Sequence, residues 1–420
     1  MRARLAALLL TGLLGLAGAA PQSETLPRVG PRQFGSTPTV AQMTALGAQI
    51  FRDPGLSASG RLACASCHDP AHDFGPPNAL AVQLGGADMR QPGLRAVPSL
   101  KYLQATLPFQ LHYSDEDDLH GDDAGPTGGL TWDGRARNPH EQALLPLFSD
   151  FEMANRDIAS LAAAVRRAPY ATAFRAAFSA PGRDVFKDPR ATVAWLAMAL
   201  EVYQQDAKTF YPFTSKYDAV LRGQAELTPR EARGLVLFND PNKGNCASCH
   251  PSVRSGADGG FPLFSDAGHI ALAVPRNRDI PANADPRWHD LGLCGPLRKD
   301  LGDAPEADEL CGRFKAPSLR NTDRRGAFFH NGALHSLREV IEFYVDRELH
   351  PARWYGDDAS VRYADLPARY LANVSQEVPF TPLPGGQPRL DAAEIDDVLA
   401  FLGTLDDGWQ PAVAAGAGPR

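Results

Sequence analysis

The sequence is short of several things, and each shortage excludes a class of protein. It has no excess of positive charge: 49 acidic residues face 42 basic ones, for a formal net charge of −7 over 420 residues. That balance gives no reason to expect nucleic acid as a partner. It has no long run of alternating apolar and polar residues, so an extended half-buried sheet is not expected. Beyond its first residues it has no apolar run long enough to cross a bilayer. Only six cysteines occur, at 64, 67, 246, 249, 294 and 311, too few for a disulfide-built scaffold of this length. Only five methionines occur, and none follows Met198, so the later part of the chain has no thioether sulfur to offer a metal.

What is present begins at the amino terminus. Met1-Arg2-Ala3-Arg4 is a short basic start, Leu5 to Leu16 is apolar, and Ala17-Gly18-Ala19 supplies small residues. The pattern is that of a secretory signal peptide over residues 1–20. The alternative, a membrane anchor, is disfavoured because the apolar run is short. The mature chain is therefore expected outside the cytoplasm, in a bacterial periplasm, with no membrane insertion after cleavage. In an oxidising compartment two spare cysteines do not persist as free thiols, so Cys294 and Cys311 are a disulfide candidate. Two separately buried cysteines are the alternative.

The chain contains an internal repeat. Thr44-Ala45-Leu46-Gly47-Ala48-Gln49-Ile50-Phe51 and Glu231-Ala232-Arg233-Gly234-Leu235-Val236-Leu237-Phe238 each read as a helical segment ending in an aromatic residue. Met43, Leu46 and Ile50 share one helical face. Thr228, Pro229 and Glu231 match a helix N-cap, a proline at the first helical position and a capping-box glutamate. Ile158 to Arg167, Ala191 to Gln205, and the spacing of Ile395, Val398, Leu399 and Leu402 predict further helices. Gln104 to Gly129 reads as an acidic, glycine-containing insertion. With 38 glycines and 36 prolines the loops are many. The reading is an all-α protein of two related domains, residues 21–224 and 225–410, with a boundary near Arg222–Glu226 and a disordered tail at 411–420.

Each repeat is followed by the same five residues, Cys64-Ala65-Ser66-Cys67-His68 and Cys246-Ala247-Ser248-Cys249-His250. Two thiols one helical turn apart can add to the two vinyl groups of a haem, and the next histidine then reaches the iron. A zinc ribbon is the rival reading, but the two pairs are far apart in sequence and both carry the trailing histidine. A thioredoxin-like redox pair needs a βαβ context that is not seen. Two covalently bound haem c groups are expected, with His68 and His250 as proximal ligands.

Around these motifs the sequence resembles the bacterial di-haem cytochrome c peroxidase and MauG superfamily, from about Ala45 to Leu405. The resemblance rests on Thr131-Trp132-Asp133-Gly134-Arg135, on Glu141-Gln142-Ala143 with Pro146, on Phe151-Glu152-Met153, and on Lys315-Ala316-Pro317-Ser318-Leu319-Arg320-Asn321. Phe328-Phe329-His330-Asn331-Gly332 and Leu337-Arg338-Glu339-Val340 complete it. It implies cytochrome-c-like domains, with a peroxidatic haem in the first and an electron-transfer haem in the second. It implies Glu152 as the distal carboxylate, Gln142 beside it, and Trp132 between the haems. Breaking a peroxide O–O bond needs a group that moves a proton between its oxygens, and a carboxylate in a haem pocket can do so. Taken alone, a lone glutamate is a solvated charge and a lone tryptophan is core; order and spacing turn the reading.

The resemblance also frames three departures. The second-haem methionine of the classical peroxidases falls on Tyr344, as in MauG-like members, which implies His250/Tyr344 ligation; a buried tyrosine with a satisfied hydroxyl is the bland alternative, and His335 and His350 are rival ligands. No histidine lies between Asp73 and Leu111 to close the first haem, although His112 and His120 are within reach in sequence. The resemblance further implies a calcium ion between the haems, held by an asparagine and two backbone carbonyls. Here the asparagine position is Tyr102 and the carbonyl positions fall near Arg325 and Ala327. This departure counts against calcium, although carbonyl ligands need no particular side chain.

The expected function is a peroxide-dependent oxidoreductase. It is either MauG-like, acting on a protein substrate, or a classical peroxidase fed by a small redox protein. The competing reading is a di-haem electron carrier without catalysis.

Overall fold

The computed structural model describes residues 37–113, 125–254, 259–357, 362–363 and 365–411. The signal peptide expected at 1–20 lies outside the described residues, as does all but the first residue of the expected tail at 411–420. So does His120.

Each half is organised around one crossed pair of helices, and the local sequence explains both. Thr39 caps the Val40–Phe51 helix in a capping box with Gln42, and Met43, Leu46, Ile50 and Phe51 form its buried face. That face packs on the longest helix, Pro189–Gln204, capped by Asp188 with Pro189 at its first position. At the crossing, a Cβ on Gly47 would stand 2.1 Å from the Ala199 carbonyl oxygen, so only glycine lets the two backbones touch. The second half repeats the arrangement. Thr228 and Glu231 form the capping box of the Pro229–Asn239 helix, with Pro229 at its first position. It crosses the Ala392–Leu402 helix where a Cβ on Gly234 would stand 2.0 Å from the Asp397 carbonyl oxygen.

The apolar cores follow the same division. One core draws its buried residues from Met43 to Phe210. Two others draw theirs from Tyr217 to Leu405. Aromatic rings repeat in kind: Phe51, Phe74, Tyr203 and Phe210 touch in the first half, and Tyr217, Phe238, Phe264 and Phe401 in the second. Burying each such ring contributes about 1.5–3 kcal/mol relative to leaving it in water. Tyr217 packs with the later residues although it precedes the Arg222–Glu226 turn.

The described residues are mostly helical. Strand structure is confined to two short antiparallel pairs, Leu84–Gly85 with Gln91–Pro92 and His269–Ala271 with Arg313–Lys315. The Ile158–Arg167 helix spans the residues its sequence predicts. Cys294 and Cys311 are joined by a disulfide.

Buried charges stitch the halves together. Arg95 donates to Asp133 at 2.7 Å and, through two nitrogens, to Asp290 at 2.6 and 2.7 Å. Burial opposes the Asp133 charge, but Arg95 and Arg135 outweigh it and hold the carboxyl well below its ordinary pKa. Removing one partner from such a buried network costs about 3–5 kcal/mol, because it strands the other charge. Backbone bonds run alongside, from Ala96 N–H to the His330 carbonyl at 2.7 Å and from Lys315 N–H to the Trp132 carbonyl at 2.8 Å.

Candidate functional site, two cavities and a shared tryptophan

Each CxxCH motif opens on its own cavity. The first has a volume of about 190 Å³ and is lined by Cys64, Cys67, His68, Gln142 and Glu152, among others. The second, of about 570 Å³, is lined by Cys246, Cys249, His250 and Tyr344, among others. With the two cysteine pairs in separate cavities, a zinc site shared between them is excluded.

The proximal sides are alike. Cys64–Cys67 forms one helical turn, which the His68 N–H closes on the Cys64 carbonyl at 2.9 Å. Cys246–Ser248 forms one 3-10 turn, and His250 N–H closes it on Cys246 at 2.9 Å. His68 Nδ1 lies 3.1 Å from the Phe74 carbonyl and His250 Nδ1 lies 2.7 Å from that of Phe264. Both phenylalanines adopt left-handed backbone, with φ of 55° and 54°, which turns each carbonyl back to its histidine. A carbonyl at Nδ1 fixes the proton there and leaves Nε2 with a lone pair for a metal. Burial lowers both imidazole pKa values to about 4, so both rings are neutral and able to ligate.

The thiols fit thioether formation better than thiol redox chemistry. Burial raises Cys64 to about 12 and Cys67 to about 11, and does the same for Cys246 and Cys249. A redox-active CxxC needs the opposite shift. Paired cysteines, a neutral histidine with its Nδ1 held by a backbone carbonyl and an apolar cavity fit a covalently held haem in each half.

The far sides differ. In the first cavity Glu152 sits on a loop anchored from three directions. Met153 N–H donates to the Pro146 carbonyl, Gly86 N–H donates to the Glu152 carbonyl, and Asn155 Nδ2 donates to the carbonyls of Leu56 and Leu147. A Cβ on Gly85 would stand 2.5 Å from the Phe151 carbonyl oxygen, so the short strand lies flat against this loop. Burial raises the Glu152 pKa, partly offset by its surroundings, Arg135 among them. Gln142 comes from the Pro139–Phe148 helix, which Asn138 caps. Among the described residues, no histidine other than His68 lines this cavity. His112 instead pairs with Glu306 and is largely exposed.

In the second cavity Tyr344 projects from the Leu337–Asp346 helix and stacks on Phe380 with ring centroids 5.1 Å apart. Its hydroxyl makes no hydrogen bond among the described residues. Burial raises its pKa above the ordinary phenol value, so losing its proton requires a nearby positive centre such as a metal ion. The rivals are elsewhere: His335 bonds the Gly326 carbonyl and is exposed, and His350 pairs with Asp346 on the surface.

Trp132 lines both cavities. Its Nε1–H donates to the Ala96 carbonyl at 2.8 Å, it is 9% exposed, and the Arg95–Asp133–Asp290 network flanks it. Sequence reasoning missed Arg95, Asp290 and Asn155. Arg95 lay in a loop singled out only for its missing histidine, and Asp290 had no local signal at all.

The positions matched to the calcium site hold other chemistry. The Tyr102 hydroxyl donates to Asp407 at 2.6 Å. Arg325 donates through Nη2 to the carbonyls of Val97 and Ala327. Among the described residues no three His, Cys, Asp or Glu side chains gather to hold a metal. These residues do not fit calcium.

Comparison with known proteins gives the family. Residues 41–226 match the family described as di-haem cytochrome c peroxidase. The chain is 33% identical over 403 residues to the methylamine utilization protein MauG of Paracoccus denitrificans, covering 94% of this chain and 96% of that one. It is 25% identical over 324 residues to the cytochrome c551 peroxidase of Pseudomonas aeruginosa, covering 74% of each. Among solved structures it resembles the diheme peroxidase BthA from Burkholderia thailandensis, with a TM-score of 0.77, 37% identity, and coverage of 90% of this chain and 89% of the other.

Proposed function

The chain belongs to the di-haem cytochrome c peroxidase family, and from that premise we propose that it is a periplasmic peroxide-dependent oxidoreductase of the MauG-like kind. One observation carries the reading: Trp132 lines a cavity containing Glu152 and Gln142 on one side and a cavity containing Tyr344 on the other. The family implies a c-type haem in each cavity. When bound, these groups supply the iron that reacts with peroxide and holds oxidising equivalents.

The chain's own residues supply the rest. Cys64 and Cys67, with Cys246 and Cys249, would attach the two groups, and His68 and His250 would ligate them as neutral imidazoles. Glu152 takes a proton from hydrogen peroxide and returns it to the departing oxygen. Its burial suits this, since a raised pKa lets it give the proton back as readily as it takes it. Gln142 orients the bound peroxide by hydrogen bonding. Trp132, fixed by Ala96, links the cavities through an oxidisable π-system. Tyr344 would hold the second group together with His250; an anionic oxygen donor would lower its reduction potential, where a thioether would raise it.

The substrate of the oxidation is a protein side chain in this reading. A classical peroxidase drawing electrons from a small redox protein is the second reading, favoured by the likeness to the cytochrome c551 peroxidase. A bare electron carrier is disfavoured, because it has no use for a carboxylate and an amide facing an open cavity. No helix among the described residues is long and apolar enough to cross a membrane.

Absorption and EPR spectra of the purified diferric protein, before and after stoichiometric peroxide, separate the three. The MauG-like reading predicts a high-spin signal that vanishes on mixing and a long-lived oxidised state on both haems. Reactivity only after partial reduction would mean the classical peroxidase. Inertness in both states would mean an electron carrier.

A further inference from the structure

We propose that the Arg325 guanidinium takes the place of the divalent cation that the family implies between the two haem cavities, so that this protein holds no structural calcium there.

Arg325 touches two backbone carbonyls. Its Nη2 donates to the Val97 carbonyl at 3.0 Å and to the Ala327 carbonyl at 3.5 Å. Val97 belongs to the loop lining the first cavity, and Ala327 to the segment lying between Arg320 and His330 in the second half. One positive group thus gathers backbone oxygens from both halves, as a hard cation does with carbonyl ligands. Arg325 also lines the second cavity and lies close enough to His68 that its charge opposes protonation of that ring. It stands beside both haem sites.

Two further observations count against a metal alongside it. Calcium takes six to eight oxygens, usually including carboxylates. Asp407, the carboxylate that Tyr102 reaches, is already held by Lys101 at 2.8 Å and by Asn321 at 2.9 Å. Asp73 and Asp406 are engaged by Arg324. Arg325 itself has no carboxylate partner among the described residues. A cation placed on the same two carbonyls would meet the Arg325 guanidinium there, and like charges at close range repel. Burial lowers the Arg325 pKa only to about 10, so the charge persists at neutral pH.

The inference depends on haem occupying both cavities, not on peroxide chemistry, and its test reads neither turnover nor peroxide. The holoprotein is dialysed against EGTA, its calcium is measured by mass spectrometry, and its EPR spectrum and haem midpoint potentials are recorded. The expected result is well under one equivalent of calcium before dialysis and unchanged spectra after it. Arg325→Gln keeps N–H donors for the two carbonyls but loses the charge; it should lower the midpoint potential of the first haem, and Arg325→Lys should restore most of the shift. One tightly held calcium per chain, an EGTA-dependent EPR change, or an Arg325→Gln potential equal to wild type would each overturn the proposal. If Arg325→Gln fails to load haem, the calcium and EGTA measurements on the wild type still decide.

Discussion

In the first half, Phe74 turns through left-handed backbone to offer its carbonyl to His68; in the second, Phe264 does the same for His250. Gly47 lets one pair of helices touch, and Gly234 lets the other. Across the cavities the likeness ends. The first presents an acid on a tightly anchored loop and an amide from a helix, while the second presents a phenol stacked on Phe380. The side that carries the CxxCH turn is thus repeated, and the far side of each cavity has diverged. A single binding unit has been given two chemistries by what a few residues place opposite the histidine.

The comparison can be broken most completely at the cysteines. Replacing Cys64 and Cys67 by serine should leave one covalent haem per chain, as should the same change at Cys246 and Cys249. A haem-to-protein ratio checks this, and a ratio of two in either variant would refute the assignment. The next largest effect tests the divergent face. Glu152→Gln should slow the reaction with peroxide by about 10²–10⁴-fold, with the second haem's spectrum unaltered.

The same residue sets a pH dependence. As proton acceptor Glu152 must be ionised, and burial raises its pKa. The peroxide reaction should therefore quicken as pH rises through a midpoint above the ordinary carboxylate range and fade below it. Stopped-flow rates across pH should show this limb in the wild type and a flat profile in Glu152→Gln.

Tyr344→Met sharpens the contrast from the other side. It should raise the second haem's midpoint potential by roughly a few tenths of a volt, within the ~0.8 V that axial ligands span, and leave the first haem's spectrum alone. An unchanged potential in a spectroelectrochemical titration would mean that Tyr344 is packing and not a ligand. The smallest effects test the shared frame. Gly47→Ala and Gly234→Ala should each lower stability by about 1–3 kcal/mol through overpacking at a backbone contact. Denaturant unfolding should find the two losses similar, because the crossings are built alike.

Much of the repeated frame was legible in the chain. The capping box of Thr228 and Glu231, the buried face of Met43, Leu46 and Ile50, and the Ile158–Arg167 helix are local patterns, set by neighbours within a turn or two. The two CxxCH turns were legible for the same reason, since cysteine, cysteine and histidine lie within five residues. Glu152, Gln142 and Tyr344 were singled out only through resemblance to a family. Nothing local distinguishes a pocket glutamate from a solvated one, and only the fold placed these side chains against the two cavities. The fold also set aside His112, His335 and His350, which sequence alone left in contention.

What the sequence determined by itself is therefore short-range: helices, caps and two CxxCH turns. Only the tertiary structure decided that Arg95 reaches Asp133 and Asp290, that Trp132 lines two cavities at once, and that Arg325 joins carbonyls from separate halves. Arg95 and Asp290 are 195 positions apart along the chain. The reason is physical. A capping box or a CxxCH turn is closed by bonds between near neighbours, so its residues must appear together. A buried ion pair or a cavity wall depends on which distant segments meet, and that is fixed only when the whole apolar core has packed.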